Sequence, residues 1–243
     1  MIGDAPLSIS TGIPGWETEA EERALINLAR EYVPDQDGVI VELGVEYGRS
    51  TAQFAYATKE KLGTKIASVD LYPDDHHIAA QYGGLLSSWQ QNLAESGVTS
   101  YPAYIIPIRG VSWEIGANWK EPIDLLFIDA GHNYDEVKRD ISAWVDHVKA
   151  GGLIIFHDYA KDENAHPLHH EVKRAVDEWF DNRTEKLVLI DAPDSLMVFQ
   201  KYEPAKIDRL SQEPAKKAAP APKKAAAKSK AKTTRTHKPK SKA

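Results

Sequence analysis

Cysteine is absent from the 243-residue sequence. That removes disulfides, thiolate metal sites and a cysteine nucleophile together, leaves packing to hold the fold, and fits a reducing, cytoplasmic setting. Long apolar runs are missing as well. No stretch approaches the roughly 18 apolar residues of a membrane span, and the opening MIGDAPLSISTGIPGW lacks both a basic start and the apolar run of roughly 7 to 15 residues of a signal peptide. A soluble protein without a membrane partner is the expectation. Positive charge is scarce in most of the chain. Residues 214–243 carry eleven Lys or Arg and no Asp or Glu, so residues 1–213 keep 19 of the 30 basic side chains against all 36 acidic ones, a net −17. An acidic body that trails a basic tail repels nucleic acid except through that tail.

Between these absences the chain has a regular rhythm. Thr18 and Glu21 stand at capping-box spacing, and Leu25, Ile26, Leu28, Ala29, Tyr32 and Val33 recur at helical intervals until Pro34. Short apolar runs then alternate with helical patterns. VIVEL precedes a helix over about 50–62, KIASVD one over about 80–96, and AYIIPI a short one near Trp113; IDLLFID precedes a helix over about 134–148, and GLIIFHD one over about 169–181. Five strands each followed by a helix predict an α/β fold with a parallel sheet covered on both faces. KLVLID and LMVFQKY lie too close together for a crossover helix, so they pair as a hairpin and bring one strand into the sheet antiparallel. Past about Glu203 the chain is Lys, Ala and Pro, with no aromatic residue after Tyr202, which predicts a disordered tail. The expected organisation is an N-terminal arm over 1–16, a folded domain over 17–203 and the basic tail over 204–243.

The stretch VIVELGVEYGRSTAQF is a strand that turns through Gly44 and Gly48 into a helix, the place where parallel sheets bind ligands. A dinucleotide site calls for G-x-G-x-x-G, whereas Glu46 and Arg49 occupy the middle and last positions here. Carboxylates beside two phosphates are unfavourable. Glu42 and Glu46 suit an adenosine-like ligand that has no phosphate and is itself cationic, the description of S-adenosylmethionine.

Taken in order, VELGVEYGRST, LFIDAGHNYDEVKRDISAW and KAGGLIIFHDY resemble the class I methyltransferases that use S-adenosylmethionine. Within them they resemble the small-molecule O-methyltransferase-like branch, grouped with cephalosporin hydroxylase and macrolide-sugar methyltransferases. The resemblance spans roughly residues 20–202 and implies a Rossmann-like, doubly wound seven-stranded sheet, mostly parallel with an antiparallel C-terminal hairpin strand. It implies that Glu42 holds the methionine amino group, directly or through water, while Gly44 and Gly48 let the loop approach the cofactor. Asp70 would accept the ribose hydroxyls, and Ser112 would lie on the adenine side or cap its helix. Ser50 is either a cofactor ligand or, with Gln53 three residues on, a capping box. Glu46 replaces the family's central glycine.

Methyl transfer to a hydroxyl needs alignment and a base. Asp129, His132, His157 and Asp158 stand at the predicted carboxyl ends of strands four and five. His132 is the first candidate base and His157 the second, since imidazole titrates near neutrality; either could instead hydrogen-bond a carboxylate or cap a helix. Asp129 would touch the cofactor, orient the base or bind metal. Similarity to catechol-type methyltransferases places Asp129 and Asp158 at two magnesium (Mg) carboxylate positions, but Tyr159 fills the amide position and is a poor ligand for a hard cation. His166, His169 and His170 read as surface or lid histidines. Trp89, Trp113, Trp119, Trp144 and Trp179 read as core, whereas Trp16 lies in an arm able to fold over the site mouth. The expected partner is a small or sugar-like acceptor. The tail adds nucleic acid or another polyanion. A non-catalytic cofactor-binding protein and a nucleic-acid-associated methyltransferase are the competing readings.

Overall fold

The computed structural model describes residues 9–75, 83–183 and 187–202. The basic tail predicted over 204–243 lies outside the described residues. Helix α1 (Glu19–Tyr32) starts at the predicted capping box: Thr18 accepts from the Glu21 N–H, and the Glu21 carboxylate accepts from the Thr18 N–H. The elements that follow are β1 (Val39–Leu43), α2 (Arg49–Ala57), β2 (Lys65–Asp70), α3 (Leu85–Ser96), β3 (Tyr104–Arg109), α4 (Ser112–Gly116) and β4 (Ile123–Ile128). The chain continues through α5 (Tyr134–Trp144), β5 (Val148–Phe156), α6 (Pro167–Asn182), β6 (Leu187–Asp191) and β7 (Met197–Lys201).

The seven strands are ordered β3-β2-β1-β4-β5-β7-β6. The first five are mutually parallel, and β7 runs antiparallel to both β5 and β6, as the short connection required. Alternation along each strand feeds two cores. Ile40, Leu125, Phe127, Leu153 and Ile155 pack toward α1, α2 and α3, whereas Val41, Leu43, Leu126, Ile154 and Phe156 pack toward α5 and α6. Both faces are therefore buried, which is why these strands read as continuous apolar runs.

Several boundaries differ from expectation for local reasons. Helix α2 begins at Arg49 after Gly48 in the left-handed conformation, so Ser50 is inside the helix and caps nothing. It ends at Ala57, where Thr58 turns its hydroxyl back onto the Phe54 carbonyl. Helix α6 starts two residues early at Pro167, because His166 is the N-cap and its Nδ1 accepts from the Leu168 N–H at 3.3 Å.

Register lines up the site. Leu43 pairs with Val69 on one side and Ile128 on the other, and Ile128 pairs with Phe156, so Gly44, Asp70, Asp129 and His157 emerge side by side from four strands. The order of strand addition reverses between β1 and β4, which opens the crevice there. Gly44 sits at φ 77°, and a Cβ on it would overlap the Asp129 carbonyl. Glu46 holds φ 41° and Gly48 φ 88°, so the family's glycine position carries a left-handed glutamate. A left-handed L-residue costs roughly 1–2 kcal/mol. Glu46→Gly should therefore raise the thermal midpoint by a few degrees, and Gly44→Ala should lower it by at least as much, both read by differential scanning calorimetry.

Candidate active site

A cavity of about 490 Å³ opens at this strand edge. Its walls carry the carboxylates of Glu17, Glu46, Asp70, Asp129, Glu136 and Asp158, against Arg49, His132 and His157 as basic groups. Gly44, Ser50, Ser112 and Trp113 also line it. Nine of the sequence-selected positions are thus brought together, counting Gly44, Ser50, Asp70, Ser112, Asp129, His132, His157 and Asp158 on the wall and Gly48 in the loop that forms it.

Glu42 is placed otherwise. It is 0% exposed and stands behind the wall. Its carboxylate accepts from the hydroxyls of Ser50 at 2.9 Å, Thr51 at 2.5 Å and Ser68 at 2.5 Å. Trp89 Nε1 donates in turn to Thr51. Burial pushes Glu42 up to about 7 against the pull of those three hydroxyls. Ser50 therefore serves neither as cap nor free ligand: it lines the cavity and ties β1 to α2 through Glu42.

The Asp70 carboxylate accepts the backbone N–H of Val45 at 2.9 Å and Glu46 at 3.2 Å through one oxygen, and that of Tyr72 at 2.8 Å through the other. This holds the strained loop in place. The Ser112 hydroxyl donates to Asp140, a buried side chain that burial pushes up to about 6. The helix N-cap is Val111 rather than Ser112.

The two histidines differ in kind. His157 is buried, with Nδ1 3.1 Å from Asp129 Oδ1 and Nε2 3.4 Å from Glu21 Oε2. Burial opposes its protonation, but the charge and hydrogen bond of Asp129, then Glu21 and Asp158, prevail and hold it up at about 11. It is an imidazolium at neutral pH. Glu21 is pushed up by burial, yet hydrogen bonds from His157, Ser195 and the Thr18 N–H outweigh this and hold it down at about 2. The Ser195 N–H and hydroxyl reach Glu21 at 2.7 and 2.6 Å. His132 is 32% exposed at its side chain, with Nε2 3.2 Å from Asp158 Oδ2 and 3.5 Å from Asp129 Oδ1. The Asp129 hydrogen bond raises it above 6.5 against burial. Nearby, His169 Nε2 lies 3.2 Å from Asp158 Oδ1, so this one histidine of the HPLHH run reaches the site's edge.

Residues the sequence reading passed over complete the wall. Glu17 directly follows the arm, and Trp113, expected in the core, is half-buried against the cavity. Glu21 was legible only as a cap, because its second partner lies 136 residues away.

The His157 pairing should show in stability. Its proton is held far above 6.5 and that of Glu21 is released far below 4.5. The stabilisation is therefore complete between about pH 4.5 and 6.5, lost as pH falls toward 2 through Glu21, and lost as pH rises toward 11 through His157. His157→Gln should cost on the order of 3 kcal/mol at pH 5.5, with the difference from wild type narrowing steadily in thermal melts taken up to pH 10.

Residues 41–159 match the family described as a methyltransferase domain. The uncharacterized protein y4gI of Sinorhizobium fredii is 30% identical over 121 residues, which take in 49% of this chain and 13% of that one. Among solved structures, the S-adenosylhomocysteine-bound methyltransferase PaMTH1 of Podospora anserina superposes with a TM-score of 0.60 at 14% identity, over 77% of this chain and 80% of that one. The O-methyltransferase TomG of Streptomyces achromogenes, involved in tomaymycin synthesis and solved with S-adenosylmethionine, gives 0.55 at 16% identity over 77% and 82%. At those identities the structural likenesses establish the fold. The matched segment runs from β1 past the end of β5 and takes in just under half of the chain, and the fold around it is the one these methyltransferase structures share.

Proposed function

We propose that the protein transfers the methyl group of S-adenosylmethionine to a hydroxyl of a small or sugar-like acceptor, with His132 as the base. The observation that carries this reading is the placement of a partly exposed imidazole at the rim of a carboxylate-walled cavity, between Asp129 and Asp158. In the reaction the acceptor oxygen attacks the methyl carbon in line with the C–S bond. That bond breaks toward sulfur, leaving the neutral thioether S-adenosylhomocysteine, and the hydroxyl proton passes to His132 Nδ1, since Nε2 already donates toward the two carboxylates. Asp129 and Asp158 then stabilise the imidazolium. His157 is the weaker choice because both of its nitrogens face carboxylates and its proton is held until about pH 11. Its part is to hold Asp129 ionised.

A second reading has one specific observation behind it: Asp129, His132 and Asp158 each offer a ligand atom, all within 4.8 Å of one another. Two carboxylates and an imidazole fit a divalent cation. Tyr159 does not join them, since its hydroxyl donates to Asp177 at 2.7 Å. A bound cation would supply positive charge for a deprotonated acceptor oxygen, and His132 would then be a ligand. Dialysis against a chelator separates the two readings: turnover survives if His132 is the base, and is lost and restored by Mg2+ or Mn2+ if the trio is a metal site.

His132→Ala should lower turnover by about 10²- to 10⁴-fold while donor affinity, measured by calorimetry, stays within about twofold. In wild type the rate should rise with pH through a limb above 6.5, because the base works only when deprotonated. Unchanged turnover in His132→Ala would remove it from the chemistry.

A further inference from the structure

We infer that Glu17, the residue that directly follows the N-terminal arm, is the carboxylate that receives the α-ammonium group of the methyl donor. The inference rests on the assignment of S-adenosylmethionine to this cavity and adds a residue that the strand-end motifs do not contain. Four observations converge on it.

The first is position. Pro14, Gly15, Trp16 and Glu17 form cavity wall next to the loop of Gly44 to Ser50. Arg49, the first residue of α2, pins them there. Its Nη1 donates to the Ile13 carbonyl at 2.9 Å and its Nε to Glu22 at 2.7 Å, and a Cβ on Gly15 would overlap its side chain. The arm is pressed onto the residue that follows Gly48, so what it carries faces the loop that would hold the donor.

The second is the state of the Glu17 side chain. It is only 6% exposed, and its Oε2 makes no hydrogen bond. Arg49 Nε lies 3.3 Å away, but that N–H is directed to Glu22. Such an acceptor inside a cavity wall is costly unless a ligand supplies the missing donor.

The third is charge. Burial first, and the Asp129 carboxylate second, push Glu17 up to about 7. Its own backbone N–H, His157 and Arg49 pull the other way without prevailing, and an arriving ammonium would offset the remaining cost of holding the charge in this buried place.

The fourth is elimination among the neighbouring carboxylates. Glu42 is closed off behind three hydroxyls. The Asp70 oxygens accept three backbone N–H groups, and Asp129 accepts from His157 and His132. Asp158 faces His132 and His169, and among the carboxylates of the wall Glu17 is the one with a buried oxygen that has no hydrogen-bond partner among the described residues.

The test uses the full chain and three ligands. S-adenosylmethionine and S-adenosylhomocysteine carry the amino-acid end, whereas 5′-methylthioadenosine keeps the nucleoside and thioether without it. In calorimetric titrations, Glu17→Gln should weaken binding of the first two by about tenfold or more, the loss of one charge-assisted hydrogen bond, and leave methylthioadenosine within about twofold. Glu17→Asp, which keeps the charge but withdraws it, should show the same pattern at smaller amplitude. Equal loss for all three ligands would mean that Glu17 only shapes the arm, and no loss for any would mean that it does not face the donor; either overturns the inference. Wild-type protein that binds none of the three would withdraw the donor assignment and this inference together.

Discussion

One buried imidazolium makes the site sustainable. The cavity gathers six carboxylates within one wall, an arrangement whose self-repulsion favours neutralising or dispersing them. His157 sits beneath that wall with Glu21 on one nitrogen and Asp129 on the other. Its charge lets Asp129 stay ionised, its hydrogen bond to Glu21 ties the β5 end to the first turn of α1, and Ser195 joins the β6–β7 connection to the same carboxylate. Three parts of the chain distant in sequence meet around one imidazole ring and the Glu21 carboxylate. The cost of burying these charges is met only because each is paired, so the cluster is a constraint on the whole carboxyl edge of the sheet.

On the other side of the crevice the chain surrounds its carboxylates with hydroxyls and backbone amides instead of an imidazolium. Glu42 gathers Ser50, Thr51 and Ser68 around itself out of reach of the cavity, and Asp70 collects the amides of the glycine loop. Together they hold a loop with three alternate left-handed residues, Gly44, Glu46 and Gly48, the first of them against the end of β4. The two devices leave a cavity walled by more carboxylates than basic groups, the electrostatic complement of a sulfonium bearing an ammonium. The proposed in-line displacement asks for little more than this plus a base at the rim, where His132 is the partly exposed imidazole.

How much of this was legible depended on range. Alternation and turn residues marked β1, β2, β4 and β5, and the short link between KLVLID and LMVFQKY required the antiparallel β7, because these are local statements about period and length. Asp70, Asp129, His132 and Asp158 were placed by strand ends, and register brought them together. The Thr18–Glu21 cap was visible, but the bond from Glu21 to His157 was not, since nothing in a local pattern links residues 136 apart. Glu42 illustrates the opposite failure: a strand-end carboxylate looks like a ligand until the hydroxyls of α2 and β2 are seen to close over it. Ser50 and Gln53 had the spacing of a cap, yet Gly48 started the helix first, because a left-handed glycine can turn the chain without a side chain. Trp113 looked like core for want of any signal that α4 is a five-residue turn at the cavity wall.

The central claim is that the carboxylate-walled crevice selects a cationic, phosphate-free nucleoside. It is tested most directly by thermal-shift titration of the wild-type chain with S-adenosylmethionine and with NAD in the same buffer. The account predicts a saturable rise in midpoint with the sulfonium and none with the dinucleotide at matched concentration. An equal or larger rise with NAD would contradict it.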